Sequence, residues 1–198
     1  MGAMIGFTGP RDLNPCYEQL VKDVLQAVYH YDVAVGCASG LDKMVVDNYS
    51  SLFTMEFFAV FGPNGDGAAK SSNIDGIQQM EKIGHQIHWW AGGKGDNLNK
   101  RLSNRSLAMV TAVANSAGKK GIIGFPNKAP TDEFRKYGKW YSCHSGTWGT
   151  IATGVSIGLP VVVFKCGEFD LPKLPVDGDW VESHNGGVWR GSYIFKQQ

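Results

Sequence analysis

The sequence predicts an α/β fold: a mostly parallel sheet with helices on both faces and a small C-terminal β appendage. Two observations lead there. Short apolar runs alternate with amphipathic stretches through residues 4–164, the signature of repeated strand–helix units. The chain also carries 26 glycines, many of them clustered in turns that follow those apolar runs. In such folds, ligands sit beyond the carboxyl ends of the strands.

The elements follow in order. Met4-Ile5-Gly6-Phe7 reads as a strand ending in Thr8-Gly9-Pro10-Arg11, and Tyr17, Leu20, Val21, Val24, Leu25 and Val28 recur at helical spacing. Asp32 to Gly36 is the next strand, followed by a Gly/Ser turn and a helix from about Leu41 to Tyr49. Met55 to Phe61 is a buried strand closed by Gly62-Pro63-Asn64-Gly65. A helix over Ser71 to Ile83 and a short strand over Gln86 to Trp90 come next. After the Gly92-Gly93-Lys94-Gly95 break, Leu98, Leu102, Met109 and Val113 mark a helix that stops near Gly118. Gly121 to Phe125 is a strand, and residues 126–144 form an irregular basic and aromatic loop. A helix after Thr147 ends near Gly158 and feeds the strand Pro160 to Phe164. Residues 1–164 are expected to form one domain, with 165–198 packed on it as an extension.

Composition limits the function. Hydrophobic residues make up 43% and charged residues 19%, values of an ordinary globular chain. The formal net charge is +1, so no global field draws the chain to nucleic acid or membrane, and only a local basic patch can do so. No apolar run approaches the ~20 residues that span a bilayer, and no secretory leader is evident. Cys16, Cys37, Cys143 and Cys166 form no C-x-x-C pair and read as free thiols, which points to the cytoplasm.

Four segments carry chemistry. Ser145-Gly146-Thr147-Trp148-Gly149-Thr150 opens a helix, where free N–H groups and the helix dipole favour an anion. A well-capped helix without ligand would use the same groups. At Thr8-Gly9-Pro10-Arg11, Arg11 can fork onto a phosphate or remain a solvated arginine. In Gly36-Cys37-Ala38-Ser39-Gly40-Leu41-Asp42, small residues permit close approach, and Asp42 either accepts from ribose hydroxyls or simply favours the helix dipole. That turn departs from G-x-G-x-x-G, so nothing calls for a dinucleotide cofactor. Finally, Asn104 and Arg105 lie on a helix where Arg101 and Arg105, four residues apart, share a face that either holds an anion between them or is simply a solvated basic face, the commoner case for this stretch alone.

Taken together, these segments resemble the DNA-processing protein A (Smf) family. Ser145 to Ala152 is similar to its Ser-Gly-Ser-x-x-Thr-Ala turn, and Gly36 to Asp42 to its Ser-Gly-x-Ala-x-Gly-x-Asp segment. Asn104-Arg105 stands where its Arg-Asn-Arg motif falls, with Ser103 replacing the first arginine. The wider group, the SLOG or LOG-like superfamily, implies a Rossmann-like fold whose loops hold nucleotides, nucleotide-derived signals or single-stranded DNA. Its cytokinin-activating phosphoribohydrolases carry Pro-Gly-Gly-x-Gly-Thr followed by glutamate. Here Ile151, Ala152 and Thr153 follow Trp148-Gly149-Thr150, so that carboxylate is missing.

The expectation is therefore a homo-oligomeric binder of a nucleotide or nucleotide-derived phosphorylated small molecule. Phosphate is assigned to Thr8, Gly9, Arg11, Arg105, Ser145, Gly146 and Thr147, and ribose to Asp42. Ser39, Gly40, Asn104 and Thr150 complete the site, and Trp148 is the expected stacking platform for the base. Single-stranded DNA is the alternative partner, using Lys128, Arg135, Lys136, Lys139, Trp140 and Tyr141. Third is nucleoside-monophosphate hydrolysis, with a carboxylate supplied by Asp42 or Glu133. The histidines show no metal-ligand spacing on one face, Cys143-His144 is too close in sequence to form a nucleophile–base pair, and Trp89-Trp90 reads as packing.

Overall fold

A computed structural model describes residues 2–48 and 54–198. The main sheet has eight strands in the order β4-β3-β2-β1-β5-β8-β10-β9. Strands β1 (Met4–Thr8), β2 (Asp32–Val35), β3 (Met55–Phe58), β4 (Gln86–His88), β5 (Lys120–Gly124) and β8 (Val161–Val163) run parallel. Among the described residues this is the α/β sheet the alternating pattern predicts. The expected β appendage consists of β9 (Gly178–Glu182) and β10 (Tyr193–Gln197), an antiparallel pair that extends the same sheet beyond β8.

Two apolar cores lie on opposite faces of the sheet. One buries Val21, Val24 and Leu25 of α1 (Glu18–Ala27) and the apolar side of α2 (Leu41–Asp47) and α3 (Ile74–Lys82). The other buries Met109, Val110 and Val113 of α4 (Leu98–Asn115) with Trp148, Ile151, Ala152 and Val155 of α5 (Gly146–Ser156). Helix spacing of apolar residues accounts for both, since positions three and four apart share a face. The expected end of α2 at Tyr49 lies outside the described residues, and α3 starts at Ile74 rather than Ser71. The 126–144 stretch contains a small hairpin, β6 (Arg135–Tyr137) and β7 (Trp140–Ser142), turned by Gly138 at φ 61°.

The topology fixes where a ligand can enter. After β1 the chain steps outward through β2, β3 and β4, then returns to lay β5 against the other side of β1. The helices that follow β1 and β5 therefore diverge to opposite faces, which opens a crevice at the carboxyl ends of these two strands. No helix among the described residues is long and apolar enough to cross a membrane.

The loops after β1 and β2 interlock at that edge. Gly40 has φ 70°, a conformation most L side chains avoid, and a Cβ there would collide with the carbonyl of Pro10. Ser39 donates its hydroxyl to the Arg11 carbonyl at 3.0 Å, locking the same contact. Gly40→Ala is expected to destabilise the protein by more than ~1 kcal/mol in urea unfolding, since it combines a positive φ with backbone overlap.

Candidate functional site

The loops after β1, β2 and β5 and the first turns of α4 and α5 enclose a cleft of about 670 Å³. Of the expected residues, Thr8, Gly9, Arg11, Asp42 and Arg105 line it, as do Ser145, Gly146, Thr147, Trp148 and Thr150. Segments far apart in sequence thus meet at one edge of the sheet, the carboxyl end at which β1 and β5 part.

Helix α5 starts at the cleft wall. Ser145 is its N-cap, and its Oγ accepts from the Trp148 N–H at 3.3 Å. The amides of Gly146 and Thr147 come earlier in the helix than the one this cap satisfies and have no acceptor within the helix. Gly146 faces open space, with nothing within 4 Å of where a Cβ would stand. His144, just before the cap, has φ 57° and a side chain 80% exposed, 3.7 Å from the Asp132 carboxylate. Arg11 and Lys128, both exposed and on neighbouring loops, line the same cleft, as does the carboxylate-bearing Asp12.

The floor of the cleft holds a charge pair. Arg105 Nη1 lies 3.8 Å from Asp42 Oδ2, with both side chains largely buried. The same Asp42 oxygen accepts from the Ala38 N–H at 2.8 Å. Gly36 lies beneath them, and a Cβ there would overlap the guanidinium and the carboxylate. Burial pushes the Asp42 carboxyl above its ordinary range, with Arg105, the Ala38 N–H and Arg11 pulling it partly back. Arg105 Nε is buried and has no hydrogen-bond partner among the described residues.

Several expected roles are corrected. Trp148 is only 1% exposed, so its ring offers no platform for a base. Its indole N–H donates to the Lys128 carbonyl at 2.8 Å, and the ring meets Phe169 and Trp180 edge-on. Thr150 is also buried, with its hydroxyl returned to the Gly146 carbonyl at 2.8 Å. Ser39 and Gly40 do not line the cleft but fasten the loop after β2 to the loop after β1. Asn104 points away as well, donating to the Gly92 carbonyl at 3.2 Å. Arg101 does not share an anion with Arg105, because its Nη1 donates to the carbonyls of Val60 and Gly67 at 3.1 and 2.9 Å.

Lys128 belongs to the site although it was read only as part of a basic loop. Its signal was position: it falls just after β5, where the diverging connections leave a crevice. Trp140, expected as a stacking aromatic, is buried against α5 at Gly149, whereas Arg135, Lys136, Tyr137 and Lys139 of the hairpin are exposed. Cys143 is buried and burial pushes its thiol pKa up, so it is held as a thiol beside an exposed imidazole. No group of three or more His, Cys, Asp or Glu that could hold a metal occurs among the described residues.

No protein-family model matches this chain, and no curated protein matches its sequence. Among solved structures, it is similar to the X-ray structure of DNA processing protein A (DprA) from Streptococcus pneumoniae. The TM-score is 0.58 at 14% sequence identity, covering 81% of this chain and 49% of that one. The chain has a DprA-like, Rossmann-type fold. It matches about half of that protein's length, and at such identity the likeness speaks for the fold alone.

The Asp42 environment sets a pH dependence. A carboxyl raised in the folded state binds its proton more tightly than in the unfolded chain, so its contribution to stability falls as pH rises from the ordinary value of 3.8 toward the raised one. The stability difference between wild type and Asp42→Asn is expected to shift against wild type through that window, read by denaturant unfolding at a series of pH values.

Proposed function

We propose that the cleft binds a phosphorylated, nucleotide-like ligand, with its phosphate at the start of α5. The observation that carries this reading is the convergence of Thr8–Arg11, Asp42, Arg105, Lys128 and Ser145–Thr147 on one concave site. In this reading the amides of Gly146 and Thr147 receive the phosphate oxygens, aligned with the helix dipole. Arg11 and Lys128 supply mobile positive charge, Arg offering a fork and Lys a point charge. Asp42, held in place by the Ala38 amide and Arg105, faces the ribose hydroxyls. The cleft volume of about 670 Å³ falls within the ~300–1,000 Å³ usual for small-molecule sites. Membership of the SLOG or LOG-like superfamily is part of the same reading, resting on the motif order and on the DprA-like fold.

Single-stranded DNA is the second reading, favoured by the β6–β7 hairpin. This hairpin carries Arg135, Lys136 and Lys139 with exposed Tyr137, and its last residue, Ser142, lines the cleft. Lys136 Nζ sits 5.6 Å from the Tyr141 ring, a basic and aromatic pairing of the type that tracks a strand.

Mass spectrometry of small molecules co-purifying with the protein separates these readings from hydrolysis. An intact nucleotide supports the leading one, and free base released from a nucleotide pool would speak for cleavage. Arg11→Ala and Lys128→Ala are each expected to weaken nucleotide binding about tenfold, the loss of one charge-assisted contact. DNA binding instead predicts affinity that grows with oligonucleotide length, falls with salt, and drops when Arg135, Lys136 and Lys139 are neutralised. Unchanged nucleotide affinity in Arg11→Ala, Lys128→Ala and Arg105→Ala alike overturns the phosphate assignment.

A further inference from the structure

A second pocket of about 370 Å³ opens on the same edge of the sheet, lined by Gly67, Trp90, Lys94, Gly95, Asp96 and Arg101. It lies where the loops after β3 and β4 meet the start of α4. Lys94 Nζ stands 5.5 Å from the Trp90 ring centroid, and the Arg101 guanidinium 5.8 Å from it.

This pocket shares two unusual features with the main cleft. Trp90 (φ 52°) and His144 (φ 57°) are the non-glycine residues with positive φ among those described, and one borders each pocket. A bulky residue held there is strained, and such strain concentrates at sites that bind something. The second shared feature is an arginine of α4 whose Nε is buried without a partner among the described residues: Arg105 in the cleft, Arg101 in the pocket. Buried guanidinium nitrogens left without a partner are rare in folded proteins. The two arginines are one turn apart, about 6 Å along the helix axis.

We propose that the Trp90–Lys94–Arg101 pocket is a second site for a phosphate-bearing nucleotide unit. This rests on the nucleotide reading of the main cleft, whose Arg105 lies one turn along α4 from Arg101. Lys94 is exposed and free to swing its ammonium from the ring to a phosphate, leaving the ring to a base. The exchange is favourable because a base stacks on an aromatic ring more strongly than an exposed ammonium binds to it. Arg101 stays fixed by the Val60 and Gly67 carbonyls and keeps the positive charge at the back of the pocket. Asp96 on the rim confines the phosphate to the lysine side. Trp89, by contrast, packs on Phe61 and donates to Glu81, so the two adjacent tryptophans have different tasks.

The occupant has two possible sources, the next unit of one strand or a separate mononucleotide. Titrations of the full chain with thymidine 5′-monophosphate and with a six-nucleotide oligothymidylate distinguish them, using wild type, Lys94→Glu, Trp90→Ala and Arg11→Ala. If one strand spans both sites, Lys94→Glu and Trp90→Ala weaken the oligonucleotide about tenfold and leave the mononucleotide untouched. If the second unit is separate, wild type takes up two mononucleotides and Lys94→Glu takes up one. The proposal is overturned if both pocket variants match wild type in oligonucleotide affinity and mononucleotide stoichiometry. Should Arg11→Ala alone weaken binding, only the second site falls. Should wild type bind neither probe, both readings fall.

Discussion

Asp42 and Arg105 come from helices on opposite faces of the sheet, and they meet only because the residue that follows β2 has no side chain. Gly36 leaves the guanidinium and the carboxylate the space a Cβ would fill. The contact joins α2 to α4 across the sheet edge, so the two helical layers are held in register where their connections diverge. It is not chiefly a source of stability. Desolvation outweighs the attraction at Asp42, and buried pairs often do no better than apolar packing. Its consequence is positional: Arg105 is held at the cleft floor and the loop after β2 is held through the Ala38 amide. The Gly40 contact then carries that order on to the loop after β1.

Much of this was readable from the sequence because period and turn chemistry are local. The apolar spacing of Val21, Val24 and Leu25, or of Met109 and Val113, determines which helix face is buried whatever the partner. The glycine and hydroxyl turns stood out in the sequence, and chain reversal at β1 brought three of them together with Arg105 of α4. Trp148 was misread for a different reason. A tryptophan in a glycine-rich turn looks exposed, but Phe169, Trp180 and the Lys128 carbonyl that enclose it come from remote segments. Arg101 failed similarly: its spacing from Arg105 was correct, yet the carbonyls that capture it belong to an irregular loop some forty residues earlier. The alternating strands of the C-terminal hairpin were legible as β, while their docking onto β8 was set by long-range pairing.

A nearly neutral chain can still hold an anion if the positive charge is arranged locally. At +1 overall, the protein has little far field to collect phosphate groups. The cleft instead combines Arg11, Arg105 and Lys128 with the amide end of α5, against Asp12 and Asp42. Main-chain amides act over short range and need no counter-charge, so they favour a phosphate that fits over one that is merely nearby. Asp42 sharpens that choice, because Arg11 and Arg105 both help to hold its charge. On the proposed reading, a phosphate that draws Arg11 away removes one of the charges that lower the Asp42 pKa against the burial that raises it. A ribose hydroxyl that donates to Asp42 offsets that loss, whereas bare phosphate does not. On the same reading, the buried carboxylate favours phosphate carried on a sugar over bare phosphate.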